Sequence, residues 1–372
     1  MKSNYRALSE LIEKVDERND DGAITELIGV SIDKCFIKSV ANTNGTDLSK
    51  YKIIRKNEFA VSLMQVSRDS KIPVARLEDY EVAIMSPAYP IFRVKDTRKI
   101  LPEYLDMWFK RPEFDREAAF IAVGGVRGSM PWEEFVKMKL PVSTIEKQLE
   151  IVNSYKAITE RIALKQKIND NLLDSVQAIF RSWFVDYDPF DGVCPSNWET
   201  GCVEDIAEFF DSMRKPLSSL ERTDMERIYP YYGAVSIVDY VDDYIFDGEY
   251  LLVSEDGIYV VDENGHPLIQ HISGKFWANN HAHILKGKSG FNEDSLYLFL
   301  ANTNMAPIVT GAAQPKINQA NLKSFPITIP DSETMLKFNN IIQPFFDQRL
   351  TNESEIKKLE ALQSLLLTRL VD

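Results

Sequence analysis

The sequence predicts an α+β chain written twice: two β-rich bodies, each followed by a long helix, with the two helices paired antiparallel. The first observation behind this is an internal repeat. Leu173-Asp174-Ser175-Val176-Gln177-Ala178-Ile179-Phe180 matches Leu359-Glu360-Ala361-Leu362-Gln363-Ser364-Leu365-Leu366, and Gly125 falls on Gly311, an offset of about 186 residues. The second is a pair of apolar runs with steps of three and four, one in each half. The expected parts are a β-rich body over residues 1–142, a helix over 143–188, a second body over 189–330 and a second helix over 331–372.

The first body opens on YRALSELIEKVDERNDD, which corresponds loosely to NWETGCVEDIAEFFDSMRKPL in the second. Phe59–Leu63, Val82–Met85 and Ile91–Val94 are short apolar runs of strand length, and FAVS (Phe59–Ser62) resembles LLVS (Leu251–Ser254). A short helix is predicted over Pro102–Arg111. The body closes with GGVRGSMPWEEFVKMKLPV, a glycine turn followed by a proline-closed strand.

The first long helix follows Pro141. Ile151, Tyr155, Ile158, Ile162, Ile168, Leu172, Val176, Ile179 and Trp183 lie on one of its faces. In the second body Tyr250–Val253, Ile258–Val261 and Ala282–Leu285 read as strands, with turns at Asp256-Gly257 and Asn264-Gly265 and a short helix over Glu293–Asn302. Its closing segment, GAAQPKINQANLKSFPITIP, is the counterpart of the first. Phe338, Ile342, Phe345, Ile356, Leu359, Leu362, Leu366 and Leu370 then mark the second helix, which Pro344 is predicted to kink or restart. Each run of about 40 residues makes a helix of roughly 60 Å. Two such seams in one chain most simply bury each other, with Ile151, Tyr155, Ile158, Ile162, Leu172, Val176 and Trp183 facing Phe338, Phe345, Leu359, Leu362 and Leu366.

The chain has 372 residues and a formal net charge of -13. The acid is unevenly spread. Residues 1–140 carry 23 basic and 22 acidic side chains, whereas residues 195–330 carry 9 and 19. Nine acids and no Lys or Arg fall within Asp239–Glu263, a segment poorly suited to phosphates. A nucleic-acid role therefore requires small neutral-to-basic surfaces or positive charge from a partner. No run of about 18 apolar residues exists, the N-terminus lacks the apolar core of a secretion signal, and the three cysteines, Cys35, Cys194 and Cys202, have no zinc-like spacing. A cytoplasmic protein with reduced thiols is expected.

The catalytic inventory is thin. There is no G-x-x-x-x-G-K-[ST] phosphate loop and no G-x-S-x-G elbow. Asp186-Tyr187-Asp188-Pro189-Phe190 lacks the second proline of an amino-methyltransferase box and follows a helix. His281-Ala282-His283 could supply half a metal site, although no cysteine or third histidine lies near in sequence. The preceding Lys275-Phe276-Trp277-Ala278-Asn279-Asn280 suits base edges, and equally a buried hydrogen-bonded network. In Gly124-Gly125-Val126-Arg127-Gly128-Ser129, glycines allow close backbone approach and Arg127 suits a phosphate; Gln314 and Lys316 occupy the equivalent turn of the second half.

FRSWFVDYDP (Phe180–Pro189) at the end of a long helix, LKSFPITIP before a second, FWANNHAHIL and the two-fold repeat together resemble the specificity subunit of type I restriction-modification systems. The resemblance spans the whole chain. Glu146-Lys147-Gln148 fits the family's helix start, while Asp331–Met335 departs from it and leaves the second helix's start open.

The resemblance implies a non-catalytic, DNA-binding subunit of anti-phage defence. Each body would be a target-recognition domain reading half of a bipartite double-stranded DNA target, with the helices as spacer. Two methylation subunits, carrying S-adenosylmethionine, would flip and methylate adenine N6, and restriction subunits, using Mg and ATP, would complete the complex. This chain would hold no cofactor or metal. Arg127, Ser129, Gln314 and Lys316 are then expected at the DNA backbone, and Ser86, Tyr89, Asn279, Asn280 and His281 near bases. The competing readings are a stand-alone metal-dependent nuclease built on His281, His283 and nearby acids, and a helical adaptor that binds no DNA.

Overall fold

In the computed structural model, which describes residues 4–39, 47–64, 66–123, 128–257, 260–311 and 313–371, the chain divides into two units. One comprises Met1–Lys165 with Glu355–Asp372, the other Gln166–Ser354.

The first unit starts with β1 (Tyr5–Ala7), one helical turn α1 (Leu8–Leu11) and β2 (Ile12–Val15). A hairpin of β3 (Ile28–Val30) and β4 (Phe36–Lys38) follows, then β5 (Lys52–Arg55), β6 (Phe59–Val61), α2 (Val66–Asp69), β7 (Val74–Arg76), β8 (Val82–Met85) and β9 (Ile91–Val94). Helices α3 (Pro102–Phe109) and α4 (Pro112–Ile121) each begin on a proline, where the missing N–H costs nothing. After α5 (Trp132–Phe135), β10 (Lys139–Pro141) returns antiparallel to β1 and hands the chain to α6 (Ile145–Phe184). The main sheet runs β2-β9-β6-β7, antiparallel throughout. Both its faces are covered, so β6 reads as an unbroken apolar run. Phe59 and Val61 join the core under α3 and α4, while Ala60 turns to the opposite cluster of Ile28, Ile54 and Met85. Phe59 stacks on Phe92 at 5.2 Å between ring centroids, and Phe109 meets Phe59 edge-on at 5.7 Å.

The second unit takes the rest of α6, then β11 (Glu199–Cys202), α7 (Val203–Ile206), β12 (Ala207–Phe209), α8 (Ser219–Thr223), β13 (Tyr229–Tyr232) and β14 (Ile237–Val241). The long strands β15 (Phe246–Ser254), β16 (Ile269–Ala278) and β17 (Ala282–Gly287) precede α9 (Glu293–Ala301), α10 (Gln319–Lys323), β18 (Pro326–Ile329) and α11 (Ser332–Thr368). The sheet order is β12-β17-β15-β16-β13-β14, and β18 pairs antiparallel with β11. The repeat is therefore topological. β2-β9-β6-β7 of one unit corresponds to β12-β17-β15-β16 of the other, β1–β10 corresponds to β11–β18, and each set leads into a long helix. FAVS and LLVS occupy equivalent strands, β6 and β15.

Of the strands expected from sequence, Ile258–Val261 begins on Ile258 and Tyr259, outside the described residues, and Val261 makes only an isolated bridge to Pro267. The sequence reading missed β16. Gly274 interrupts its pattern, and Gly274 sits opposite Gly248 in the ladder, both at positive φ (98° and 121°). The helix α11 starts at Ser332 because Asp331 caps it, its Oδ1 accepting from the Thr334 amide at 3.0 Å. The expected restart at Pro344 does not occur: α11 runs through it.

Each unit holds one stretch of helix pairing. In the first, Gln363 donates to Thr159 at 2.7 Å, Arg161 pairs with Glu355, and Leu367 and Leu370 join Ile151, Val152 and Tyr155 at the core. Ile162 is buried, and Ile158, Leu359 and Leu366 are half-buried, whereas Leu362 is 44% exposed. In the second, Val176, Phe180, Phe338, Ile342 and Phe346 are buried, with Trp183 and Phe345 packed against them and Leu172 half-buried. The FRSWFVDYDP stretch is the anchor here: Phe184 lies 4.7 Å from both Phe299 and Phe338, and Trp183 5.7 Å from Phe338. Among the described residues, no helix is long and apolar enough to cross a membrane.

Candidate nucleic-acid interface

The candidate residues of the second unit converge where β15 ends and β16 turns into β17. Ser254 closes β15 opposite Ala282, which carries Glu255 and Asp256 to the β16–β17 loop; the Glu255 amide donates to the His281 carbonyl at 2.9 Å. The turn at Gly311 arrives from the other side. Lys316 and Thr310 exchange two backbone bonds of 2.8 Å, which closes a tight loop between them. Gly311 has φ +86°, and a Cβ there would meet the Gln314 carbonyl at 2.4 Å, so only glycine fits.

The two histidines expected to supply half a metal site take different roles. His283 is fully buried, with Nδ1 within hydrogen-bond reach of Asp211 at 2.7 Å and Nε2 of the Ile317 carbonyl at 2.8 Å. His281 precedes β17, is 48% exposed, and donates Nδ1 to Asp256 at 2.6 Å.

Asp211, Glu255 and His283 bring three metal-type donor atoms within 4.8 Å of one another. The protein's own groups already satisfy them. Arg214 Nη1 lies 2.6 Å and Lys316 Nζ 2.8 Å from the Glu255 carboxylate, and Gln319 and the Ile284 amide donate to Asp211 at 2.7 and 2.8 Å. Burial pushes both carboxyls up, but the His283 bond on Asp211, and the Lys316 and Arg214 bonds on Glu255, outweigh it and hold both below the usual range. The Glu255 partner in turn raises the Lys316 ammonium. Two cations thus stand where a metal would, and the donor set does not fit one.

The other predicted residues are placed as follows. Asn279 is 8% exposed and turned inward, its Oδ1 accepting the His281 amide at 2.9 Å, while Asn280 and Gln314 are exposed. In the first unit, Ser86 and Tyr89 form the turn between β8 and β9, with the Tyr89 carbonyl accepting from Lys52 at 3.2 Å. Ser129 is half-buried beside Gly128, where a Cβ would come within 2.5 Å of Ser67 Oγ. Arg127 lies outside the described residues. The structure thus brings together His281 and Lys316, which share the Glu255–Asp256 pair. Sequence reasoning missed Asp211, Arg214, Glu255 and Asp256. Glu255 and Asp256 fall within the acidic run Asp239–Glu263, which looks repulsive along the sequence, yet Asp239 pairs with Arg222 and Asp262 caps its own loop at the His266 amide.

Residues 195–362 match the family described as the type I restriction modification DNA specificity domain. A Haemophilus influenzae protein provisionally named a type I restriction enzyme specificity subunit is 39% identical over 128 residues, which is 34% of this chain; the chain covers only 32% of that relative. The type I restriction enzyme MjaIX specificity subunit of Methanocaldococcus jannaschii is 21% identical over 297 residues, 73% of this chain and 68% of that one. In fold, the chain is similar to the type I restriction-modification S subunit from M. genitalium, with a TM-score of 0.59 at 15% identity, covering 100% of this chain and 97% of that one. Residues 195–362 thus carry a type I restriction modification DNA specificity domain, and the chain as a whole is similar in fold to a solved S subunit of that kind.

Proposed function

We propose that this subunit reads a bipartite double-stranded DNA target, one part through each β-rich body, residues 1–142 and 189–330. The observation that carries this is the recurrence of one sheet order and one closing strand in both units, each leading into its own long helix. Two recognition modules of one topology in a single chain suit two half-sites better than one continuous site. The helices act as the spacer between the half-sites. Methylation subunits dock on this chain, bring S-adenosylmethionine and flip out the target adenine; restriction subunits join that core. The chain itself is non-catalytic. Arg127, Ser129, Gln314 and Lys316 serve the phosphate backbone, and Ser86, Tyr89, Asn280 and His281 approach bases, while Asn279 shapes the loop that presents the last two. Most of the positive charge that clamps DNA comes from the partners, since the second body is acidic.

Adenine-methylation mapping of the source genome, with and without this gene, tests the proposal. A split motif that vanishes with the gene is the expected result. A motif without an unread gap, or methylation unaffected by deletion, overturns it.

A further inference from the structure

The three-residue loop Asn279–His281 is fixed from every side. The Asn279 amide donates to the Tyr232 carbonyl at 3.1 Å, and the Asn279 side chain holds the His281 amide. The Glu255 amide holds the His281 carbonyl. Arg214 Nη1 then reaches the Ala282 carbonyl at 2.7 Å and the Asn280 carbonyl at 3.4 Å while paired with Glu255. This guanidinium is only 14% exposed. It spends its donors on the backbone of a loop rather than on solvent.

What the loop leaves outward is Asn280 and the His281 ring. Asp256 accepts the Nδ1–H of His281 at 2.6 Å, and Nε2 has no hydrogen-bond partner among the described residues. In the neutral ring with its hydrogen on Nδ1, Nε2 presents a lone pair. In the major groove a lone pair matches an exocyclic amine, that of cytosine or adenine, and not the O6 of guanine or the O4 of thymine.

We infer that His281 is a specificity-determining residue for an amine-bearing base in one half-site, that Asp256 sets its tautomer, and that Arg214 is the positioning residue that presents the loop. The inference rests on the DNA reading proposed above. A loop whose backbone is already fixed loses less conformational freedom on binding than a mobile turn would.

The test is adenine-methylation mapping in the source host, with the gene deleted and wild type or variants returned. His281→Ala is expected to relax one position of one half-site by about tenfold or more, leaving the other half-site and the gap unchanged. Asp256→Asn can donate to Nδ1 and move the ring proton to Nε2, so the preferred base should shift toward guanine or thymine. Arg214→Gln should relax the same position, and Arg214→Lys should partly restore it. If wild type writes no motif, the DNA reading falls and the inference with it. If wild type writes a split motif that His281→Ala leaves equally strict, or if it loses all methylation while melting like wild type, only the His281 assignment falls. An unchanged base preference in Asp256→Asn overturns the tautomer assignment. Because His281 is half exposed, its variant remains informative even where Arg214→Gln does not fold.

Discussion

The side-chain amide of Asn352 donates to Asn169 Oδ1 at 2.8 Å within the helix pairing of the second unit, and Asn352 is 1% exposed there. Gln348 donates to Asn352 Oδ1 at 3.0 Å. A polar pair in an apolar seam costs stability relative to leucine but penalises every other register, since a slip leaves buried amides unpaired.

Replacing the pair by Asn169→Leu with Asn352→Leu should therefore raise the melting temperature, by about 2–4 °C for each kcal/mol gained. Asn352→Ala alone should destabilise by roughly 1–3 kcal/mol, because Asn169 and Gln348 lose a partner. Thermal melts of the three proteins check both signs. A double leucine variant that melts below wild type would show that the asparagines are net stabilising.

Gln148 is fully buried at the start of α6 and joins three backbone groups: Nε2 donates to Lys99 and Ser143 carbonyls at 3.0 and 2.8 Å, and Oε1 accepts the Leu101 amide at 2.9 Å. Gln148→Leu keeps the volume but orphans all three groups, so a loss of about 2–4 kcal/mol in urea unfolding is expected. Amide exchange at Leu101 should accelerate in parallel. Unchanged exchange there would mean the loop is held by other contacts.

Asp294 and His271 face each other at 3.6 Å where α9 and α11 pack on β16. Burial, with Glu249, Asp347 and Glu293 nearby, pushes the Asp294 carboxyl up from 3.8 to about 7, and burial, with Arg349, pushes His271 down from 6.5 to about 4. The signs oppose. Folded Asp294 keeps a proton that the unfolded chain has released, so it removes stability as pH rises from about 4 to about 7. Unfolded His271 binds a proton that the folded chain refuses, so it removes stability as pH falls from about 6.5 to about 4. The two contributions nearly cancel in wild type. Asp294→Asn should expose the histidine, giving a variant whose stability relative to wild type improves as pH rises through this window. His271→Gln should do the reverse. Denaturant unfolding from pH 4 to pH 8 checks it; parallel curves for all three proteins would refute the assignment.

The sequence carried the architecture further than the site, for physical reasons that particular residues make plain. Helical seams and the glycine-turn junctions are local patterns, so α6, α11 and the turn at Gly311 could be read directly. Leu362 shows the limit: its spacing fits the seam, but spacing does not say which of two adjacent stripes meets the partner helix, and the residue is 44% exposed. The loop network depends on pairings far apart in the chain, such as Arg214 with Glu255 and His283 with Asp211. An acidic run counted along the sequence looks repulsive. In space Asp239 and Glu255 are matched to cations, Asp256 to His281, and Asp243 and Asp262 to amides, which no period reveals.

The proposed spacer role makes one length-dependent demand. Removing seven residues from each long helix, in matched segments so that the seam keeps its phase, shortens each by about 10 Å, which corresponds to roughly three base-pair steps. Both half-sites should survive, since neither recognition body is touched, and the unread gap should shrink by about that number. Exchanging residues 1–140 for the same segment of another specificity subunit should do the opposite, changing one half-site at constant gap. Methylation mapping reads both outcomes. Altered half-sites with an unchanged gap after the helix deletion would exclude the helices as the ruler and place the gap length in the partner subunits instead.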